Sequence, residues 1–319
     1  MAFYTGTGSR LQAGKESSFA QAASPTTLVD LTSESIKVAV EKGDEGSLLG
    51  SKTATNRDLL AVTVEGSVSF ILRPESAGLI LHAALGGEDT CTQVGETDAY
   101  THTIGLCDVN EALPSLTFTI DRKAAIKRYV GCTISALSLD CAAGDYVKGS
   151  MDLKGTTEES GSIDEALKSF SIPSYRCTNA TFTVSGTTYD ITSASLKIDN
   201  ALESSPRTYA SGLYAGQPQH GKRAVTINFE IPYSAEVETL KSSYLTSEEN
   251  ASVELTFSSP SAGHSITITL SHVAISEVDA NVGGTGILSS TVAGEALSVG
   301  TEEPITIVIT DKISTPYGG

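Results

Sequence analysis

Residues 32–38 read TSESIKV and residues 192–198 read TSASLKI, 160 positions apart in a chain of 319. Four of the seven positions are identical, and two others exchange one branched apolar side chain for another. The residues after each copy decide whether this is chance. The first copy leads into the loop-like run AVEKGDEGSLLGSKTATNRDLL, the second into DNALESSPRTYASGLYAGQPQHGKR; both carry Gly, Ser and charge without a sustained period. Each loop then enters an alternating segment. In VTVEGSVSFIL, Val62, Val64, Val68, Phe70 and Leu72 oppose Thr63, Glu65, Ser67 and Ser69; in AVTINFEI, Val225, Ile227, Phe229 and Ile231 oppose Thr226, Asn228 and Glu230. Period-two alternation predicts strands with one dry and one wet face.

Both strands lead into a helical signal opened by proline. These are RPESAGLILHAALGG, closed by Gly86, and PYSAEVETLKSSYL, with Val237, Leu240 and Tyr244 at helical spacing. Strands are expected next at 115–121 and 129–140 in the first half, and at 252–258 and 265–276 in the second. The order strand, long loop, strand, helix, strand, strand thus occurs twice, which predicts an internal duplication. The polar run GTTEESGSIDEAL (155–167) reads as a linker, giving a first module over 1–170 and a second over 171–319. ATFTVSGTTYDIT (180–192) should form a strand and turn leading into the second module, and PITIVIT should add a strand to its sheet.

Composition agrees with a mainly β protein: 39% apolar, 18% charged, no Trp. No run approaches the roughly 18 apolar residues of a membrane span, and MAFYTGTGSR lacks a signal peptide's apolar core, so a cytoplasmic product is expected. The five cysteines have no CxxC spacing and should be reduced and structural. Acidic residues outnumber basic ones 38 to 21, a net charge of −17, which disfavours any close grip on nucleic acid.

Catalytic motifs are missing. GQPQHGKR (216–223) resembles a phosphate-binding loop, but Arg223 stands where a hydroxyl must hold magnesium, and a strand comes next instead of a helix. GTGSRL (6–11) lacks the glycines and context of a dinucleotide fingerprint. The histidines (82, 102, 220, 264, 272) are scattered, with His82 read as a packed core residue, and no GxSxG elbow occurs. Glu158/Glu159, Glu248/Glu249 and Glu302/Glu303 read as solvated loop pairs. No enzyme, cofactor or metal is expected.

The segments GTGSRLQAGKESSFAQAASPTTLVDLTSESIKV, EKGDEGSLLGSK, VTVEGSVSFILRPESAGLILHAALGG and YVGCTISALSLDCAAGDYVKGSMDLKG, in that order, resemble the tail tube (major tail) proteins of long-tailed, non-contractile (siphophage-type) bacteriophages. The likeness covers about residues 3–155 and weakens beyond. It implies tandem β-sandwich or barrel modules, each with a short flanking helix and a long loop arm. Six modules would form a ring, three fused pairs giving a pseudo-hexameric trimer, and rings would stack into a hollow tube for DNA ejection. On that view Lys37, Thr63, Glu65, Ser67, Ser69, Lys197, Thr226, Asn228 and Glu230 face the lumen. Two arms, 41–58 and 201–222, would reach the adjacent ring through Lys42, Asp44, Glu45, Lys52, Arg57, Arg207, Tyr209, Tyr214 and Lys222. Implied partners are further copies of the chain, a tape measure protein in the lumen before ejection, tail terminator and distal tail proteins, and genomic DNA in transit without specific binding. The product would sit in the virion tail after assembly in the host cytoplasm, with no membrane contact. A virion decoration or head–tail connector protein of the same module type is the alternative; a secreted adhesin or carbohydrate-binding sandwich would want a signal peptide and aromatic platforms.

Overall fold

A computed structural model of the chain describes residues 3–44, 46, 53, 56–203, 207–209, 211–280 and 287–317. The first half carries β1 (Arg10–Lys15), β2 (Thr27–Glu34), β3 (Lys37–Gly43), β4 (Asp58–Ile71), α1 (Pro74–Leu85), β5 (Gly86–Gln93), β6 (Tyr100–Leu106), β7 (Leu116–Asp121), β8 (Ile126–Ala142), β9 (Lys148–Gly155) and β10 (Thr157–Ser160). The second carries β11 (Ala180–Val184), β12 (Thr187–Thr188), β13 (Ser193–Asp199), β14 (Ala224–Pro232), α2 (Ala235–Leu240), β15 (Ala251–Ser258), β16 (Ser265–Ala280), β17 (Ser289–Ala296) and β18 (Thr306–Asp311). A π-helical turn, Lys241–Leu245, continues α2. The fold is mainly β, as the alternation predicts, and none of its described helices is long and apolar enough to cross a membrane.

One antiparallel sheet runs through both halves in the order β3–β4–β9–β8–β13–β14–β17–β16, with β2 continuing the β3 edge along β4. Strands β8 and β16 are long enough, at 17 and 16 residues, to leave this sheet and enter a second layer. There the start of β8 pairs with β7 and β10, and the start of β16 with β15 and β18. In the first half β1 bridges β7 and β2, closing a barrel that leaves no internal edge.

The two copies of the repeated phrase end in matching places, although the first spans the break between β2 and β3 and the second lies within β13 from Ser193 on. Lys37 pairs with Glu65 across β3 and β4, and Lys197 pairs with Thr226 across β13 and β14. A bulge also recurs: Ser135 is the extra residue in β8 and Ser276 in β16, and their hydroxyls donate to the carbonyls of Asp152 (3.1 Å) and Ala293 (3.3 Å). Both members of each pair stand 141 positions apart. A one-residue bulge resets which face every later side chain takes, so the same bulge in both halves puts the same strand positions on the same face.

Several expectations need correction. Residues 155–167 are not all linker: Thr157–Ser160 is strand β10, where Glu158 meets Lys127 (2.7 Å) and Glu159 meets Arg128 (2.6 Å). Those two glutamates are therefore strand residues with cross-strand cations rather than members of a solvated loop. The first arm is shorter than 41–58, because β3 extends to Gly43 and β4 begins at Asp58. Strands β1, β9 and β17 escaped the sequence, as did the hairpin β5–β6. That hairpin belongs to the first half in sequence, yet β6 pairs with β18 of the second, Ile104 facing Ile307.

Helix α1 begins at Pro74 and ends at Gly86, whose φ of 78° suits a residue without Cβ. Eleven of its twelve residues are buried, since LILHAAL has no polar stripe to offer water. It packs against β2, β5, β6 and β8 of the first half, and residues of the second half also reach it. Asn200, from just after β13, donates its amide to the carbonyls of Ala84 and Ile134, each at 2.9 Å. The Tyr317 ring lies so close over Gly78 that a Cβ there would meet it at 1.8 Å.

His82 is a core residue, as expected. Burial first, then the Lys15 charge, push it from 6.5 down to about 4, against smaller opposing effects of Asp89 and the Gly87 backbone. The unfolded chain thus takes up this proton near pH 6.5 and the folded chain only near pH 4. Stability from this group is full above pH 6.5 and is lost as pH falls towards 4, by up to about 3 kcal/mol. Urea melts between pH 7 and 4 should show a shallower acid limb for His82→Leu than for the parent; parallel limbs would assign the loss to other groups.

Candidate functional site

A row of directly paired residues crosses the large sheet: Ala274, Glu295, Thr226, Lys197, Ser138, Ser150, Ser69 and Ser33, one from each successive strand from β16 to β2. Paired residues share a face, so Ser69 and Thr226, from opposite halves, look the same way. The register places all nine predicted residues on this face. Lys37, Glu65, Lys197 and Asn228 are exposed, and Thr63, Ser67, Ser69, Thr226 and Glu230 half-buried. The intervening Val64, Val68, Phe70, Leu196, Ile198, Val225, Ile227 and Phe229 are buried in the core. Each strand is dry on one side and wet on the other because only one side has a second layer behind it.

Charge on the wet face is mostly negative. Among the described residues of the strands from β3 to β16, where they pair in this sheet, it carries Lys37, Lys148, Lys154 and Lys197 against Glu41, Asp58, Glu65, Asp140, Asp152, Asp199, Glu230, Glu277, Asp279 and Glu295. Four cations against ten carboxylates leave six net negative charges. The lysines are also partly engaged: Lys37 meets Glu65 at 3.2 Å, Lys197 meets Asp199 at 3.3 Å, and Lys154 donates to the Leu202 carbonyl at 2.7 Å. Exposed pairs like the first two contribute about 0–1 kcal/mol, so the face stays hydrated and offers phosphate no cationic cradle.

The predicted arm residues scatter. Lys42 lies in β3 opposite Leu59; Asp44 is exposed and accepts from the Gly46 amide at 3.2 Å; Arg57 and Lys222 are exposed. Glu45 and Lys52 lie outside the described residues. The second arm folds back on its own chain. Arg207 pairs with Glu41 at 3.2 Å, the Val62 amide donates to the Leu213 carbonyl at 3.0 Å beside Tyr214, and Gln217 reaches the Leu113 carbonyl at 2.9 Å. Tyr209 is fully exposed and Tyr214 half so.

Two features escaped the sequence. Among the described residues the large sheet ends on one side at β3, which pairs with β4 alone, and on the other at the last stretch of β16, where Ile275–Ala280 pair with β17 alone. Alternation in 265–276 signalled a strand but could not show which edge stays open. The second is a buried cluster: His102 Nδ1 lies 2.9 Å from Asp89, and its Nε2 lies 2.8 Å from the Ile313 carbonyl and 3.4 Å from Asp311. Tyr317 completes it, its amide on Asp89 at 2.6 Å and its hydroxyl on Asp311. Among the described residues no three His, Cys, Asp or Glu side chains could hold a metal ion.

A family model described as phage tail tube protein matches residues 6–307, nearly the whole chain. No curated protein matches it.

Proposed function

Since the chain belongs to the phage tail tube protein family, structural components of the virion tail that assemble with themselves into a tube, we propose that three copies close each ring and that rings stack into the channel of a siphophage-type tail. The observation that carries this is the eight-stranded sheet, four strands from each half, with one wet face and two open edges. Two modules, 1–170 and 171–319, descend on this view from one duplicated unit. The shared register of Lys37 and Lys197 and the recurring serine bulge support the duplication.

Joined edge to edge, three sheets of eight give 24 strands. At about 4.8 Å per strand and a tilt of about 40°, the circumference is about 150 Å and the backbone diameter about 48 Å. Side chains of about 5 Å on each side leave a bore of roughly 38 Å, wider than a B-form duplex with its water. The wet face, with Lys37, Thr63, Glu65, Ser67, Ser69, Lys197, Thr226, Asn228 and Glu230, lines that bore. Its acidic balance keeps DNA from lodging on the wall, so the genome slides through once the tape measure protein has left. The arms engage the adjacent ring, the exposed Tyr209 supplying an apolar anchor. Tail terminator and distal tail proteins cap the two ends.

Negative-stain microscopy of the purified chain at rising concentration should show hollow tubes of regular axial repeat. Monomers or single capped rings at every concentration would favour a decoration or connector protein instead.

A further inference from the structure

Within one chain, β8 of the first half already joins β13 of the second. Across this junction Ala136 pairs with Asp199, Leu137 with Ile198, Ser138 with Lys197 and Leu139 with Leu196. The same bulge precedes the pairing stretch of β8 and the open end of β16, and residues 141 positions apart correspond between those two strands. Residues 160 positions apart correspond between β3 and β13. We infer that the open edge of β16 takes β3 of a second copy in the register that β8 takes β13. Resting on the ring proposed above, this register sets Lys37 of one copy directly across from Asp279 of the next, with Val38 across from Val278 and Ala39 across from Glu277.

Hydrogen-bond parity agrees. The Ser35 amide donates to the Ser67 carbonyl, so Lys37 and Ala39, in step with it, direct their backbone groups to β4. Val38 and Val40 therefore turn theirs outward. In the internal junction the Asn200 amide donates to the carbonyl of the bulge residue Ser135 at 2.9 Å; the corresponding bond between copies runs from Val40 to Ser276. Parity also makes Lys37 and Asp279 a non-hydrogen-bonded pair, the kind in which opposed side chains stand closest.

Charge supplies the selectivity. Glu277 and Asp279 have no ion-pair partner among the described residues, and Lys37, 67% exposed, has room for a second carboxylate besides Glu65. The internal junction puts uncharged Ser138 where the outer one puts Asp279. Chain connectivity already holds β13 beside β8, whereas an encounter between copies needs a feature that rewards one register and penalises others. The occupant is a second copy because only a strand repeating the β13 phrase brings a lysine to this place, and the contact is head to tail, as a closed ring requires.

The test uses the full chain with paired cysteines, oxidised after assembly. K37C/D279C should give disulfide-linked dimers and trimers, while A39C/D279C, two residues out of step, should give few. D279K should raise the concentration needed for assembly several-fold, and K37E/D279K should restore it. Tubes that cross-link as readily through A39C/D279C, or through neither pair, would overturn the register and leave the ring standing. Failure of the unsubstituted chain to form rings or tubes would overturn both.

Discussion

Val40→Pro is expected to stop tube formation while leaving the monomer folded. Val40 lies on β3 opposite Val62, is 48% exposed, and has its amide turned away from β4. Proline there removes no bond of the internal ladder, but its ring fills the space through which another strand would approach. The expected result is a melting curve within about 1 kcal/mol of the parent and no tubes at concentrations where the parent polymerises fully. Ala39→Pro is the counterpart with the opposite signature. Ala39 pairs with Thr63 and directs its amide to β4, so proline at that position breaks the internal ladder and should destabilise the monomer by about 1–3 kcal/mol. Normal tubes from Val40→Pro would mean that β3 is not an assembly edge.

His102→Leu should produce the largest loss of monomer stability, about 3–5 kcal/mol in denaturant melts, because it takes the ring away from two buried carboxylates and leaves Asp89 with the Tyr317 amide and Asp311 with the Ile313 amide and Tyr317 hydroxyl. His102 is fully buried, with Asp89 on one ring nitrogen and the Ile313 carbonyl and Asp311 on the other. The cluster ties the hairpin β5–β6 to β18 and to the segment that carries Tyr317 across α1. Tyr317→Phe removes only the hydroxyl that donates to Asp311 and should cost about 1 kcal/mol. Release of the C-terminal segment in His102→Leu would appear as new proteolytic cleavage after β18. A stability change below about 1 kcal/mol would show that the donors from Ile313 and Tyr317 satisfy the two carboxylates without the ring.

The interior strands were legible because each has a single dry face. Val64, Val68 and Phe70 on β4, and Val225, Ile227 and Phe229 on β14, announce both the strand and its orientation, so the wet face could be read from the alternation alone. The limits of α1 were legible too, through Pro74 and Gly86. Strand β9, in KGSMDLKG, and β17, in SSTVAGEA, were not, because glycine and small or charged residues dilute the period. Strand β10 hid inside a polar run whose glutamates pair only with cations some 30 positions earlier.

The alternating segments by themselves determined that this chain builds sheet with one dry and one wet side, since period is a local property of the chain. Which strands become neighbours was decided by tertiary structure alone. The crossing of β6 to β18, the joining of β8 to β13, the enclosure of α1 and the burial of His102 all depend on contacts between residues far apart in sequence. Such pairings are chosen by competition among all available strand edges for backbone partners and shared apolar cover, and no single segment's pattern records the outcome of that competition.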